Sequence, residues 1–402
     1  MVAGRQVLTV RFFFGVVNRL LGPIFDTLDA ILQRRNQMRI GVPREIKAQE
    51  RRVGLFPSGV KALVEHGHEV VVESGAGDGC GALDDVYVSQ GARIGTAEEA
   101  WSQELVIKVK EPLSQEYKYL REDLTLFTYL HLAADKALTD ALVQSGCVAI
   151  AYETVQLPDK SLPLLAPMSE IAGRMSVTKA TEMLCHYNGG GGVFLGGVTG
   201  TLPARVVIIG AGISGAGAAQ MAAGLGADVL VLDVDMAKMY RLYHHLDQKI
   251  KTLFSNALNI EDQVVKADVV ISCVLIPGAS APKLITRQII EAMKPGSVIM
   301  DIAIDQGGST ELSRPTTHDN PCFRVGNGVN LYCVANMPGA YSRTASESLT
   351  NATLRYALQL ADKGWPRACQ EDPALRQGLN VVRGKVVYKA VAEACGYEWA
   401  EV

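Results

Sequence analysis

Aromatic residues make up only 6% of the 402-residue sequence, tryptophan occurs three times, and several familiar signatures are missing. No Cys-x-x-Cys pair occurs. Cys80, Cys147, Cys185, Cys273, Cys322, Cys333, Cys369 and Cys395 are scattered, mostly within apolar runs, which argues against a zinc or disulfide framework and reads as small buried hydrophobes in a reducing compartment. The seven histidines show no His-Glu-x-x-His or comparable spacing, so no metal is expected. There is no long block of Lys or Arg, and the formal charge is -3, which removes the electrostatic footprint of a nucleic-acid binder. No uninterrupted apolar stretch reaches the about 20 residues of a membrane-spanning helix. Neither nucleic acid nor membrane is therefore an expected partner, and the cytoplasm is the expected location. What is present is 48% hydrophobic residues and 39 glycines. At roughly 150 residues per domain the length suits two to three domains, and a core of Val, Ile, Leu and Ala with many close backbone approaches suits α/β architecture.

Residues 1–37 stand apart. They carry Arg5, Arg11, Arg19, Arg34 and Arg35 with no acid before Asp26, and Arg11 and Arg19 interrupt their apolar stretch. Two readings fit. One is an Arg-rich organelle transit peptide, against which the absence of serine counts. The other, which we prefer, is an upstream extension of the reading frame, since Met38 is followed at once by the strand-like Arg39-Ile40-Gly41-Val42. Under either reading the segment lies outside the fold.

From Met38 onward, short β-branched runs alternate with helical patterns. Val60–His66 reads as a helix stopped by Gly67, and His68–Glu73 as a strand. Leu105–Val109, Leu124–Leu130 and Val148–Tyr152 continue the strands, with a helix over Lys136–Gln144 that Asp135 can cap. After the loop Gly189–Gly192 come a strand at Arg205–Ile209, a helix at Gly215–Leu225, and strands at Asp228–Leu232, Ala267–Cys273 and Ser297–Ile302. This alternation implies two doubly wound parallel sheets covered by helices. Met175–Tyr187 is the expected crossing helix between them, and Glu347–Lys363 the return that sends the C-terminal tail back to the first.

Gly210-Ala211-Gly212-Ile213-Ser214-Gly215 follows a strand directly and opens a helix. Gly210 permits the tight turn, Gly212 lets backbone approach a pyrophosphate, and Gly215 lets helix pack on strand. The next strand ends at Asp233, where a carboxylate reaches the ribose hydroxyl pair of a dinucleotide. That negative charge disfavours a 2′-phosphate, so NAD is the expected cofactor. Lys238, five residues on, reads either as an adenosine-side contact or as a solvated lysine.

Ligands of open α/β sheets sit beyond the carboxyl ends of strands. Four polar residues stand there: Arg52 in the polar loop after the first strand, Lys110 after Leu105–Val109, His131 after Leu124–Leu130, and Asp305 after Val298–Ile304. A guanidinium captures a carboxylate, an ammonium polarises a carbonyl or imine, and an imidazole moves protons near neutrality. A nearby carboxylate orients the histidine or holds water. Facing one interdomain cleft, the four suit oxidation of a small amino acid or reduction of an oxo acid.

The segments GVPREIKAQERRVGLFPSGV (41–60), KVKEP (108–112), YLHLAAD (129–135), LLAPMSEIAGR (164–174), DIAIDQGG (301–308), SRPTTHDNP (313–321) and YCVANMPGA (332–340) together resemble the L-alanine dehydrogenase family, collinearly from Met38 to about Gly396. The resemblance implies reversible, NAD-dependent oxidative deamination of L-alanine to pyruvate and ammonium by a homohexamer. It implies an α/β fold of two Rossmann-like domains. The catalytic domain is made of two chain segments, 38–163 and 343–402, and the NAD-binding domain spans 164–342. By the same likeness Arg52 and Lys110 hold the substrate, His131 is the acid/base and Asp305 its partner beside the nicotinamide. On the cofactor side it implies Ser169, Asp233, Lys238, Ser255, Val274, Leu275, Ile302, Arg314, Val334, Asn336 and Met337.

Two departures stand out. Gln49-Glu50 precede Arg51-Arg52 where the family pattern has Asn-Glu before its arginine. Tyr341-Ser342-Arg343-Thr344-Ala345-Ser346 replaces a pattern containing proline, which frees φ there and restores an N–H. Other readings remain open: the NAD-binding domain of a transhydrogenase, which lacks the histidine of YLHLAAD, a non-catalytic NAD-binding regulator, or a related dehydrogenase for another small amino acid.

Overall fold

The computed structural model describes residues 37–274 and 281–401. Leu275 and residues 1–36 of the N-terminal extension lie outside the described residues. The described chain packs as two compact units, one of residues up to Ala48, Val53–Ser161 and the chain from Thr350, the other of Gln49–Arg52 and Leu162–Leu349.

In the first unit, strands β1 (Arg39–Val42), β2 (Glu69–Glu73), β3 (Arg93–Gly95), β4 (Leu105–Ile107), β5 (Thr125–Thr128) and β6 (Val148–Ala151) form a parallel sheet in the order β3-β2-β1-β4-β5-β6. In the second, β7 (Arg205–Ile209), β8 (Asp228–Asp233), β9 (Lys251–Phe254), β10 (Val269–Ser272), β11 (Val298–Asp301), β12 (Cys322–Val325) and β13 (Val329–Tyr332) run in the order β9-β8-β7-β10-β11-β13, with β12 antiparallel on the outer edge. Both sheets have the 3-2-1-4-5-6 order of a dinucleotide fold, and each reverses winding beside its first strand. The first sheet is extended by β14 (Leu379–Val382), antiparallel to β6, and β15 (Lys385–Val386), so the sheet of this Rossmann-like unit draws its strands from both the N-terminal and the C-terminal part of the described chain.

The strands form where the sequence offers short apolar runs, and helices cover both faces of the sheet they build. All four residues of β6, β10, β11 and β13 are buried. The helix Lys136–Ser145 begins where Asp135 accepts a hydrogen bond from Leu138 N and ends at left-handed Gly146. Three elements differ from their expected bounds for identifiable reasons. The crossing helix spans Ala166–Met183 and begins with Pro167 in its first turn, where a missing N–H costs nothing. The return helix spans Ser342–Glu371, broken at Gly364 (φ 70°) ahead of Pro366. Strand β11 stops at Asp301 because that side chain accepts from Ala303 N and turns the chain into the 3-10 segment Ile302–Gln306, so Asp305 sits on that turn rather than at the strand end. Among the described residues no helix is long and apolar enough to cross a membrane.

Candidate active site

In the second unit the glycine loop lies at the switch point between β7 and β10. Gly210 has φ 106°, a region that strains any residue with a side chain, and a Cβ there would meet the Cys273 carbonyl oxygen at 3.1 Å. A Cβ on Gly215 would stand 1.8 Å from Gly210 O, whereas at Gly212 it would meet nothing within 4 Å. Gly210 and Gly215 are therefore packing requirements, and Gly212 leaves open space beside the start of the helix Ile213–Gly224. That helix has Gly212 at its cap and no side-chain cap, so its first N–H groups are left for an anion. Close below runs the crossing helix, where a Cβ on Gly173 would stand 1.9 Å from Ser214 O.

Asp233, at the end of β8, accepts from Ala211 N at 2.5 Å and from Asp235 N at 2.8 Å. Each oxygen thus keeps acceptor capacity for a hydroxyl pair, and the carboxylate is fixed to the glycine loop. Ser255 donates its N–H to Asp233 O. Lys238 lies exposed in the first turn of the helix Met236–His245, its Nζ 3.8 Å from Asp235. Val274 is half-buried after β10, and Ser169 is half-buried in the first turn of the crossing helix. Asp305 is exposed, Ile302 half-buried beside it, and the Arg314 guanidinium lies over the Phe323 ring. Val334 and Met337 are buried in the core, flanking Asn336, which occupies the left-handed region at φ 63°.

Arg52 belongs with this unit. Its guanidinium is buried and forms a fork with Glu50, Nε to Oε1 at 2.7 Å and Nη2 to Oε2 at 2.6 Å, while Nη2 also donates to Asn336 Oδ1 at 2.6 Å and Nη1 to Met168 Sδ at 3.1 Å. Asn336 Nδ2 closes the ring by donating to Glu50 Oε2. Burial alone raises the Glu50 carboxyl, and the hydrogen bonds and charge of Arg52 outweigh it and take the pKa down to about 2. The amide at position 49 is still used, since Gln49 sits at φ 61° and donates to Asp319. At the other departure the 3-10 turn Met337–Tyr341 leads straight into the helix beginning at Ser342, where proline's fixed φ is not needed.

In the first unit, Lys110 and His131 follow the neighbouring parallel strands β4 and β5, and Thr128 Oγ1 donates to Lys110 O. Beneath Lys110 is a cluster the sequence did not disclose. Lys108 is fully buried, 2.9 Å from Glu116 and 3.2 Å from Glu45. Burial by itself pulls its pKa down, and the two glutamates outweigh that and leave it raised. Glu45 also accepts from Val109 N at 2.6 Å and Lys110 N at 3.3 Å, which fixes the backbone at the lysine. His131 lies in the left-handed region at φ 52°. Glu153 accepts its N–H at 2.6 Å, and Glu153 Oε1 is 3.8 Å from Nδ1. The half-exposed imidazole stacks parallel to the Tyr129 ring, which packs edge-on against Tyr152.

The residues missed from sequence are thus the carboxylates that hold the cations and the histidine: Glu45, Glu50, Glu116 and Glu153. Only Glu50, two residues from Arg52 in the same loop, carried a local signal.

Comparison with known proteins agrees with this architecture. The family profile described as alanine dehydrogenase/PNT, N-terminal domain, matches residues 41–172, and the corresponding C-terminal domain profile matches residues 176–389. The alanine dehydrogenase of Mycolicibacterium smegmatis is 52% identical over 89% of this chain and 96% of its own length, and that of Staphylococcus haemolyticus 54% identical over 91% and 98%. Among solved structures, an L-alanine dehydrogenase superposes with a TM-score of 0.86 at 49% identity, covering 89% of this chain and 99% of that one. A transhydrogenase from Sinorhizobium meliloti superposes with a TM-score of 0.77 at 26% identity, covering 87% and 100%. The transhydrogenase is the more distant relative, and by sequence and fold alike the chain belongs to the alanine dehydrogenase/PNT family.

Proposed function

We propose that NAD is the nicotinamide cofactor of this oxidoreductase, that Arg52 and Lys110 hold the substrate's carboxylate and oxo group, and that His131 is the acid/base, with Asp305 its partner. The reaction is that of an alanine dehydrogenase: L-alanine and water go to pyruvate and ammonium, and the reverse amination regenerates the amino acid. Bound NAD supplies the hydride acceptor.

Its holding residues are argued from fit. The open side of Gly212 admits a pyrophosphate, the uncapped helix start offers N–H groups to it, and Asp233 retains acceptor capacity for ribose hydroxyls. Ser169, Lys238, Ser255, Val274, Leu275, Ile302, Arg314, Val334, Asn336 and Met337 complete the proposed cofactor side. Arg52 is preset by Glu50 and Asn336, so its guanidinium meets an anion without rotamer loss. Glu45 fixes the backbone from which Lys110 reaches the oxo group. Glu153 accepts the His131 backbone N–H and so holds the residue in place, with Oε1 3.8 Å from the ring's Nδ1. The same reading carries a homohexamer and a cytoplasmic location.

The observation that carries this reading is the fixing of Arg52, Lys110 and His131 by buried or half-buried carboxylates, an arrangement suited to presenting cations and a proton carrier to an oxo acid. The test is absorbance at the nicotinamide band with NADH or NADPH and a panel of oxo acids with ammonium. Loss with NADH, pyruvate and ammonium together is expected. Silence there favours a transhydrogenase-type domain, equal rates with NADPH overturn the NAD assignment, and faster turnover of another oxo acid overturns alanine.

A further inference from the structure

Asp301, at the end of β11, is fully buried, and both its carboxylate oxygens are occupied by its own chain. Oδ1 accepts from Ala303 N at 3.2 Å and Ser309 Oγ at 3.0 Å, and Oδ2 from Ser309 N at 2.8 Å and Ser313 Oγ at 2.5 Å. Since Ser313 donates its only hydroxyl proton to Asp301, the Thr310 hydroxyl 2.7 Å away must be the donor of that pair. One carboxylate therefore stitches a single segment together at positions 303, 309 and 313. A buried charged group must be fully hydrogen-bonded, and all four of these bonds run to that segment, so keeping the group satisfied means keeping the segment's shape.

The segment has little slack. Gly308 sits at φ 77°, and a Cβ there would lie 2.8 Å from Asp301 Oδ2 and 2.4 Å from Ser313 Cβ. Lys283 Nζ donates to the carbonyls of Gly307 and Gly308 at 2.6 and 2.8 Å. The exposed Asp305 lies within the stitched stretch, and Arg314 follows its last anchor directly.

We propose that Asp301 is a positioning residue for the reaction: through Ala303, Ser309 and Ser313 it fixes the segment that presents Asp305 and Arg314. The inference rests on the reading that Asp305 acts at the reacting centre. It makes a sharp statement about Asp301→Asn. The two backbone donors sit on opposite oxygens, so whichever way the amide turns, its NH2 group faces one of them and strands that N–H. Displacement of a catalytic group by about 1 Å costs on the order of 100-fold in rate.

The test compares Asp301→Asn and Ser313→Ala with Asp305→Asn in the full chain, counting active sites by NADH binding stoichiometry. For Asp301→Asn, kcat per site should fall at least about tenfold while KM for pyruvate, held by Arg52 and Lys110, moves less than about threefold. Ser313→Ala should shift kcat in the same direction by less. A purely structural Asp301 would lower thermal stability and the number of sites with kcat per site intact, and that result overturns the inference. If Asp301→Asn does not fold, Ser313→Ala, which keeps both backbone bonds, decides by the same split. Inactive Asp305→Asn beside intact Asp301→Asn and Ser313→Ala rejects the positioning role alone. A fully active Asp305→Asn rejects the reading of Asp305 and the positioning role with it.

Discussion

Glu50→Gln isolates the buried fork that holds Arg52. The Glu50 carboxyl falls from an ordinary 4.5 to about 2 in the folded chain, a shift of roughly 2.5 units, which at about 1.4 kcal/mol per unit is on the order of 3 kcal/mol. The side chain is fully buried, so solvent screening does not erode that figure. A carboxylate whose folded pKa is depressed contributes stability that is complete above its unfolded pKa, near 4.5, and is lost as pH falls toward 2. The glutamine side chain keeps the shape and one acceptor but turns an NH2 toward the Arg52 donors and leaves the guanidinium without its counter-charge. Urea unfolding of both proteins at fixed concentration, at pH 7 and pH 3, is the assay. The stability difference should be on the order of 3 kcal/mol at pH 7 and shrink to about 1 kcal/mol at pH 3. A difference independent of pH would mean that Glu50 does not titrate through the fork, and the reasoning about how Arg52 is held would fall.

Two further substitutions probe the cofactor side. Asp233→Ala should weaken NADH and narrow its advantage over NADPH, because it removes both the proposed hydroxyl acceptor and a charge adverse to the 2′-phosphate; an unaltered cofactor ratio in steady-state kinetics refutes that. Gly173→Ala places a Cβ 1.9 Å from the Ser214 carbonyl oxygen, against backbone that cannot yield. It should destabilise the protein by about 1–3 kcal/mol and weaken NADH binding measured by fluorescence, and unchanged affinity would separate the helix crossing from the glycine loop.

Four strands of the second sheet, β7, β8, β10 and β11, were legible to within one or two residues because each is a short apolar run, and β7 matched its expected range, whereas β9, β12 and β13 were not legible, β9 being a largely exposed edge strand. The start of the crossing helix was not legible. Its first turns bury Met168 but otherwise only the small Ala172 and Gly173, the latter packed against Ser214, so they carry little of the periodic apolar signal that marks a helix. The strand-end positions of Lys110 and His131 followed from local order alone. Their carboxylate partners did not, since Glu45 and Glu153 are joined to them across 65 and 22 residues of sequence. The Asp301 stitch was hidden for a different reason: a hydrogen-bonding side chain ended the strand three residues before the apolar pattern did.

The central claim is that the imidazole of His131 moves the proton when hydride is transferred. The direct measurement is single-turnover oxidation of bound NADH by pyruvate and ammonium, in the native protein and in His131→Ala, with NADH affinity measured on the same samples. Loss of at least about 100-fold in the rate of hydride transfer at unchanged NADH affinity is the predicted result. An undiminished rate in the alanine variant would contradict it.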